Sequence, residues 1–134
     1  AWLLPVLWRV AGRSAIRGRE LCEVTIACGE LCVKARALID TGNHLTEPVS
    51  GKPVSILAGD AGRELLESAQ GCLLVPYRSV GKDGGLLPAV RADRMEIQGS
   101  GWKQTVERPL IAVSARPLSR EDSYQMLLNE KFWM

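Results

Sequence analysis

In the stretch Leu31-Cys32-Val33-Lys34-Ala35-Arg36-Ala37-Leu38-Ile39-Asp40-Thr41-Gly42-Asn43, apolar Val33, Ala35 and Ala37 alternate with charged Lys34 and Arg36. A period of two is that of a β-strand with one dry face and one wet face. At Leu38-Ile39 the polar interruption stops, so both faces are apolar and the strand is expected to enter the core just before Asp40. A polar turn, Asp40-Thr41-Gly42-Asn43, follows at once. An isolated carboxylate in such surroundings costs roughly several kcal/mol unless it is hydrogen-bonded or shares a proton. Gly42 lets backbone amides approach that carboxylate, having no Cβ in the way. Thr41 offers a hydroxyl to brace the loop or reach across a symmetric interface. These features suit a carboxylate held rigidly for proton transfer. Asp-Thr-Gly is also ordinary turn vocabulary, and average residue usage puts it in about one chain of this size in forty by chance. The triplet alone therefore does not decide between a catalytic and a structural aspartate.

Outward from this segment the chain reads as short strands and turns. Leu21-Cys22-Glu23-Val24-Thr25-Ile26-Ala27 is rich in β-branched residues, and Gly29-Glu30 turns it back into the strand that ends at Asp40. Further strands are expected at Pro53-Val54-Ser55-Ile56-Leu57 and Cys72-Leu73-Leu74-Val75-Pro76-Tyr77, with a short helix over residues 61–70 capped by Asp60 between them. A glycine-rich tip, Gly81-Lys82-Asp83-Gly84-Gly85, precedes Leu86-Leu87. Met95-Glu96-Ile97, a Gly99/Gly101 turn, Trp102-Lys103-Gln104-Thr105-Val106-Glu107 and the apolar run Leu110-Ile111-Ala112-Val113 follow. Ser123-Tyr124-Gln125-Met126-Leu127-Leu128 is open between strand and helix. Many short strands with frequent turns and one short helix predict a mainly β domain, a small barrel or a sandwich.

The chain's 134 residues fit one domain, and its apolar and charged shares of 46% and 24% are those of a globular protein. Seventeen basic against fifteen acidic side chains leave a net charge of +2, too balanced for a nucleic-acid binder. Cys22, Cys28, Cys32 and Cys72 form no Cys-x-x-Cys pair and His44 is the only histidine, so no metal site is expected. The cysteines read as reduced, mostly buried small side chains, which points to a reducing compartment. Residues 1–19 form a separate apolar and basic segment, and residues 20–134 form the domain. Ala1-Trp2-Leu3-Leu4-Pro5-Val6-Leu7-Trp8 is too short to span a bilayer, which takes about 20 apolar residues. Two readings stand: the end of a span whose remainder lies upstream, with Arg9, Arg13, Arg17 and Arg19 on the cytoplasmic side, or an amphipathic tail.

Ala37-Leu38-Ile39-Asp40-Thr41-Gly42 resembles the active-site signature of aspartic proteases, particularly the retropepsins. A closer resemblance is to the membrane-associated aspartic proteases that process the sporulation sigma-E factor precursor in endospore-forming bacteria. It is carried by Asp40 to Pro48 followed by Lys52-Pro53-Val54, by Val75 to Leu87, and by Arg116-Pro117-Leu118-Ser119 leading to Tyr124-Gln125.

The resemblance implies a retropepsin-like small closed β-barrel with one short helix, acting as a homodimer and needing no cofactor. Asp40 matches the catalytic aspartate, with Thr41, Gly42 and Asn43 supporting its loop. Ser79, Val80, Gly81, Lys82, Asp83, Gly84 and Gly85 lie where a retropepsin has its flap, the lid over bound peptide. Leu110-Ile111-Ala112 lies where retropepsins have two apolar residues and glycine crossing beneath the catalytic loop. One Asp-Thr-Gly per chain, in chemistry that needs two carboxylates, implies a two-fold dimer. The resemblance further implies a sigma-E precursor as protein substrate, an activating signalling protein secreted from the forespore, and an N-terminal membrane domain not included here. The protease domain would sit at the cell membrane, facing the mother-cell cytoplasm.

Competing chemistries are weaker. A Ser, Cys or His triad would have to recruit His44, which reads as a solvated loop residue. Glu47, Asp60, Glu64 and Glu67 read as solvated faces and caps, and Tyr77 and Arg78 are open between substrate contact and framework. The alternative of a different class is a catalytically inactive retropepsin-like domain that binds peptide or dimerises.

Overall fold

The computed structural model describes residues 20–40, 42–79, 82–119 and 121–133. Strand β1 (Leu21–Cys28) and strand β2 (Leu31–Asp40) form the hairpin that the alternation predicts, from Leu21 opposite Leu38 to Cys28 opposite Leu31. Val33, Ala35, Ala37 and Ile39 point into the core while Lys34 and Arg36 stay exposed. The change of pattern at Leu38 has a structural cause. From Ala37 to Asp40, β2 gains a second neighbour, strand β9 (Met126–Asn129), in parallel register. A strand flanked on both sides at the centre of a sheet is where apolar side chains on both faces are stable. Of the segment left open between strand and helix, Met126-Leu127-Leu128 is thus strand and Ser123-Tyr124-Gln125 is neither.

The remaining elements are β3 (Val54–Ala58), helix α1 (Gly59–Ser68), β4 (Leu73–Ser79), β5 (Lys82–Arg91), β6 (Arg94–Gly99), β7 (Trp102–Glu107) and β8 (Leu110–Ser114). A 3-10 helix, Glu130–Trp133, follows β9. The described strands form one sheet in the order β4-β5-β8-β3-β9-β2-β1-β6-β7. The pairs β3/β8 and β2/β9 are parallel and the others antiparallel.

The fold is mainly β with one α-helix among the described residues, as expected, but the expected closure is corrected. The described sheet is not a closed barrel, because β4 and β7 stand at its two edges and do not pair with each other. Both edges carry features that oppose further pairing. Pro76 in β4 has no N–H for another ladder, and β7 alternates exposed Lys103, Thr105 and Glu107 with half-buried residues.

The core lies in two clusters. The larger gathers Val24, Ile26, Ala37, Ile39, Leu57, Leu65, Ile97, Ile111, Met126 and Leu128; the smaller gathers Val54, Val75, Ala89, Leu110 and Ala112. Strand alternation sends Leu110 and Ala112 into one cluster and Ile111 into the other, so β8 is buried on both faces. Helix α1 packs over β2, β3 and β8 through Leu65. It approaches closely because residue 62 is glycine: a Cβ there would stand 2.9 Å from the Leu57 carbonyl oxygen and 3.1 Å from Val113 Cγ1. The helix starts at Gly59 rather than Ala61, and Asp60 is not its cap. Asp60 sits in the first turn, where a carboxylate favours the helix dipole, and pairs with Arg63 at 2.6 Å.

None of the four cysteines is in a disulfide, and only Cys22 is buried; Cys28 is half-buried and Cys32 and Cys72 are exposed. The expectation of mostly buried cysteines fails because Cys32 falls on the wet phase of β2, whereas Cys22 falls on the dry phase of β1 and lies 3.7 Å from the Ala37 carbonyl. Glu20 ties the start of the described chain to the end of β2. Its carbonyl accepts from Ile39 N at 3.0 Å, and its carboxylate accepts from Trp102 Nε1 at 2.6 Å. The apolar and basic segment expected over residues 1–19 lies outside the described residues. Among those described, no helix is long and apolar enough to cross a membrane.

Candidate active site

Asp40 is the last residue of β2, half-buried, and stands opposite Asn129 of β9 in the parallel ladder. The chain then turns sharply. Asn43 N donates to the Asp40 carbonyl at 3.1 Å, and Gly42 N donates to Asp40 Oδ1 at 2.9 Å. A side chain at position 42 would place its Cβ 3.3 Å from that same oxygen, so glycine keeps the amide within reach without crowding the carboxylate. Thr41 lies outside the described residues.

Asn43 is buried, at 4% exposure, and its side chain is fully engaged. Nδ2 donates to the Val54 carbonyl at 3.3 Å and the Leu127 carbonyl at 3.5 Å, while Oδ1 accepts from Leu45 N at 3.0 Å. One amide thus joins the loop after Asp40 to both β3 and β9. His44 beside it is exposed, in keeping with a solvated loop residue.

Glu47 corrects an expectation. It is buried rather than part of a solvated face, and it closes the turn that follows: Oε2 accepts from Val49 N at 2.9 Å and Oε1 from Ser50 N at 2.8 Å. The Ser50 hydroxyl, then these two amides, hold its carboxyl below the ordinary value, with Arg91 adding a smaller pull. An Asx-like use of a longer carboxylate was not visible in Glu47-Pro48-Val49-Ser50, which carries no distinctive spacing.

The other expected site residues fall elsewhere in the sheet. Leu110, Ile111 and Ala112 lie in β8, beside β3 and β5, separated from β2 by β3 and β9. The strand running alongside Asp40 is instead Leu127-Leu128-Asn129 of β9. The apolar run at residue 110 was the more conspicuous one because β8 is buried on both faces. The glycine-rich segment forms the β4–β5 hairpin, with Val80 and Gly81 outside the described residues. Gly84 and Gly85 belong to β5 rather than to the tip, which lies between Ser79 and Lys82. Pro76, Tyr77, Gly84, Gly85 and Leu86 line an open depression on this hairpin, which β8, β3 and β9 separate from β2 within the sheet.

Two residues of the site escaped the sequence reading: Asn129, fully buried, and Ser55, 4% exposed, whose hydroxyl accepts from Asn129 N at 3.1 Å. The signal was present. Asn129 ends the apolar run Met126-Leu127-Leu128 just as Asp40 ends Leu38-Ile39. Among the described residues no group of three His, Cys, Asp or Glu side chains converges on a point where a metal would sit.

Comparison with known proteins places this arrangement in a family. The chain is 28% identical over 134 residues to the sporulation sigma-E factor-processing peptidase of Priestia megaterium, covering 84% of this chain and 44% of that protein. It is 23% identical over 158 residues to the sporulation sigma-E factor-processing peptidase of Bacillus subtilis, covering 95% of this chain and 51% of that protein. It is 25% identical over 134 residues to a putative sporulation sigma factor-processing peptidase of Bacillus thuringiensis, covering 84% of this chain and 83% of that protein. The chain thus spans about half the length of the Priestia and Bacillus subtilis relatives. No solved structure gives a significant match. The family model described as sporulation factor SpoIIGA matches residues 1–132, nearly the whole chain, and the chain belongs to that peptidase family, U4.

Proposed function

We propose that this domain is one half of an aspartic endopeptidase that cleaves the precursor of a sporulation sigma factor, with Asp40 from each of two protomers forming the catalytic pair. The observation that carries the reading is Asp40 itself. A half-buried carboxylate stands at the end of a core strand, with the Gly42 amide on one oxygen and a buried asparagine fixing the loop behind it. Relatives named as sigma-E factor-processing peptidases support the substrate class.

The chemistry follows from pairing two acids. Carboxylates a few ångströms apart cannot both ionise, so one stays protonated while the other is a base, the behaviour of aspartic proteases as a class. The ionised member takes a proton from a water held between them, the water attacks the scissile carbonyl, and the protonated member donates to the carbonyl oxygen. The two titrate as a unit. A chain with a single Asp-Thr-Gly supplies one member, so a two-fold axis beside Asp40 supplies the other. In this reading the β4–β5 hairpin covers the bound peptide. The upstream part of the protein anchors the domain at the cell membrane, facing the mother-cell cytoplasm, and answers to a signalling protein from the forespore. Tethering raises the effective concentration of half-sites and favours the active dimer.

The test is Asp40→Asn and Asp40→Ala in protein verified as folded, assayed on the sigma-factor precursor. Turnover is expected to fall by about 10²–10⁴-fold while sedimentation still detects the dimer. Undiminished turnover, or full activity in a strictly monomeric species, would end the reading.

A further inference from the structure

We infer that Asn129 is a positioning residue for Asp40, holding the catalytic loop through the backbone of Leu45; the inference rests on the reading of Asp40 as the proton-transfer group. Asn129 is fully buried and stands opposite Asp40 in the β2/β9 register. Its side chain makes two bonds in two directions. Nδ2 donates to the Leu45 carbonyl at 2.9 Å, and Oδ1 accepts from Lys131 N at 2.9 Å. Its backbone N donates to Ser55 Oγ at 3.1 Å, which pins the residue to β3.

Leu45 is consequently held from both sides by buried amides. Asn43 Oδ1 takes its N–H at 3.0 Å, and Asn129 Nδ2 reaches its carbonyl, which also accepts from Val54 N at 3.0 Å. Residues 42–45 therefore run between two fixed ends, Asp40 on β2 and Leu45 on β9 and β3. Movement at Leu45 passes through Asn43 to the turn whose Gly42 amide holds the Asp40 carboxylate. A buried amide carries a desolvation cost that an apolar side chain would not, and packing alone does not account for it.

A purely structural role remains to be separated: Asn129 Oδ1 also caps the start of the 3-10 helix through Lys131 N. That role uses the oxygen only, whereas the loop tether uses Nδ2. Asn129→Ser keeps an acceptor for Lys131 N but has no donor that reaches Leu45. Asn129→Asp keeps the same shape and sets an oxygen against the Leu45 carbonyl.

In the intact protein, well below its unfolding temperature, Asn129→Ser is expected to lower kcat about tenfold with KM within about twofold. Asn129→Asp is expected to lower kcat further, because its oxygen repels the Leu45 carbonyl instead of donating to it. Leu65→Ala, on the buried face of α1, serves as the control: a comparable fall in Tm with kcat unchanged. Wild-type kcat in Asn129→Ser would overturn the inference. Amide exchange across residues 42–46 reads the tether without turnover. It should quicken in Asn129→Ser, and an unchanged rate also overturns the inference, even if Asp40→Asn were to retain activity and the reading of Asp40 itself failed.

Discussion

The loop after Asp40 and the β4–β5 hairpin both leave a strand end and both carry glycine, yet they are fastened by different means. The loop is tied through side chains: Asn43 to Val54 and Leu127, Asn129 to Leu45, and Glu47 to the turn at Val49 and Ser50. The hairpin is tied through its ladder. β4 is an edge strand with β5 as its one neighbour, and β5 meets β8 only from Ala89 to Arg91. The hairpin shows Leu74 at 57% and Leu86 at 59% exposure, where the loop hides Asn43 at 4%. Polar side chains buried in the one region and apolar side chains left in water in the other invert the usual partition. The loop needs a fixed geometry, which directional bonds supply. In the proposed reading the exposed apolar face of the hairpin meets the bound peptide.

The strongest way to break this contrast is Asn43→Ala. It removes three bonds and leaves Leu45 N and the Val54 and Leu127 carbonyls to find other partners. A loss of about 2–4 kcal/mol in chemical unfolding is expected. A loss below about 0.5 kcal/mol would mean that the loop is held by packing, not by its amide. Next in size is Gly42→Ala, whose Cβ would sit 3.3 Å from Asp40 Oδ1. The carboxylate must give way by a few tenths of an ångström, so kcat is expected to drop about tenfold with little change in Tm. An equal drop in Tm and kcat would put the defect in folding rather than in the placement of Asp40.

Much of this architecture was legible because strand periodicity is a local signal. The alternation of Val33, Ala35 and Ala37 with Lys34 and Arg36 gave the register of β2, and Leu38-Ile39 marked where β9 joins it. Sheet closure was not legible, because it depends on whether two edges far apart in sequence, β4 and β7, meet, and no local pattern records that. Which strand runs beside Asp40 was not legible either, for a related reason. Leu110-Ile111-Ala112 and Met126-Leu127-Leu128 are both apolar runs, and only the long-range pairing tells which one lies beside β2. Buried polar residues were the hardest. Nothing in Glu47-Pro48-Val49-Ser50 announces that its own turn amides will satisfy the carboxylate, and the place of Asn129 at the end of an apolar run does not name the Leu45 carbonyl as its partner.

Glu47 sharpens the comparison through pH. Its folded carboxyl titrates below the ordinary 4.5 because the Ser50 hydroxyl and the Val49 and Ser50 amides favour the charged form. A depressed folded value means that the carboxylate stabilises the fold above the unfolded value and that the gain is lost as pH falls through the folded one. Glu47→Gln should therefore lower Tm at pH 6, with the gap to the parent protein narrowing as the pH is taken below 4.5. A gap independent of pH would show that the oxygens act as neutral acceptors and that the charge is irrelevant.

The smallest effect on stability is expected in the hairpin. Leu74 pairs with Pro88 and Leu86 with Pro76, so the four share one face of the hairpin. Because Leu74 and Leu86 are already more than half in water, Leu74→Ser with Leu86→Ser should change unfolding free energy by no more than about 0.5 kcal/mol. If the hairpin covers the peptide, the same pair should raise KM for the precursor several-fold with kcat nearly kept, since the lost apolar contact favours bound substrate and transition state alike. A large loss of stability would show instead that this face already packs against something in the folded protein. The division between a loop fixed by buried amides and a hairpin completed by its ligand would then fail at the hairpin, while the Asn43 and Gly42 results would still stand for the loop.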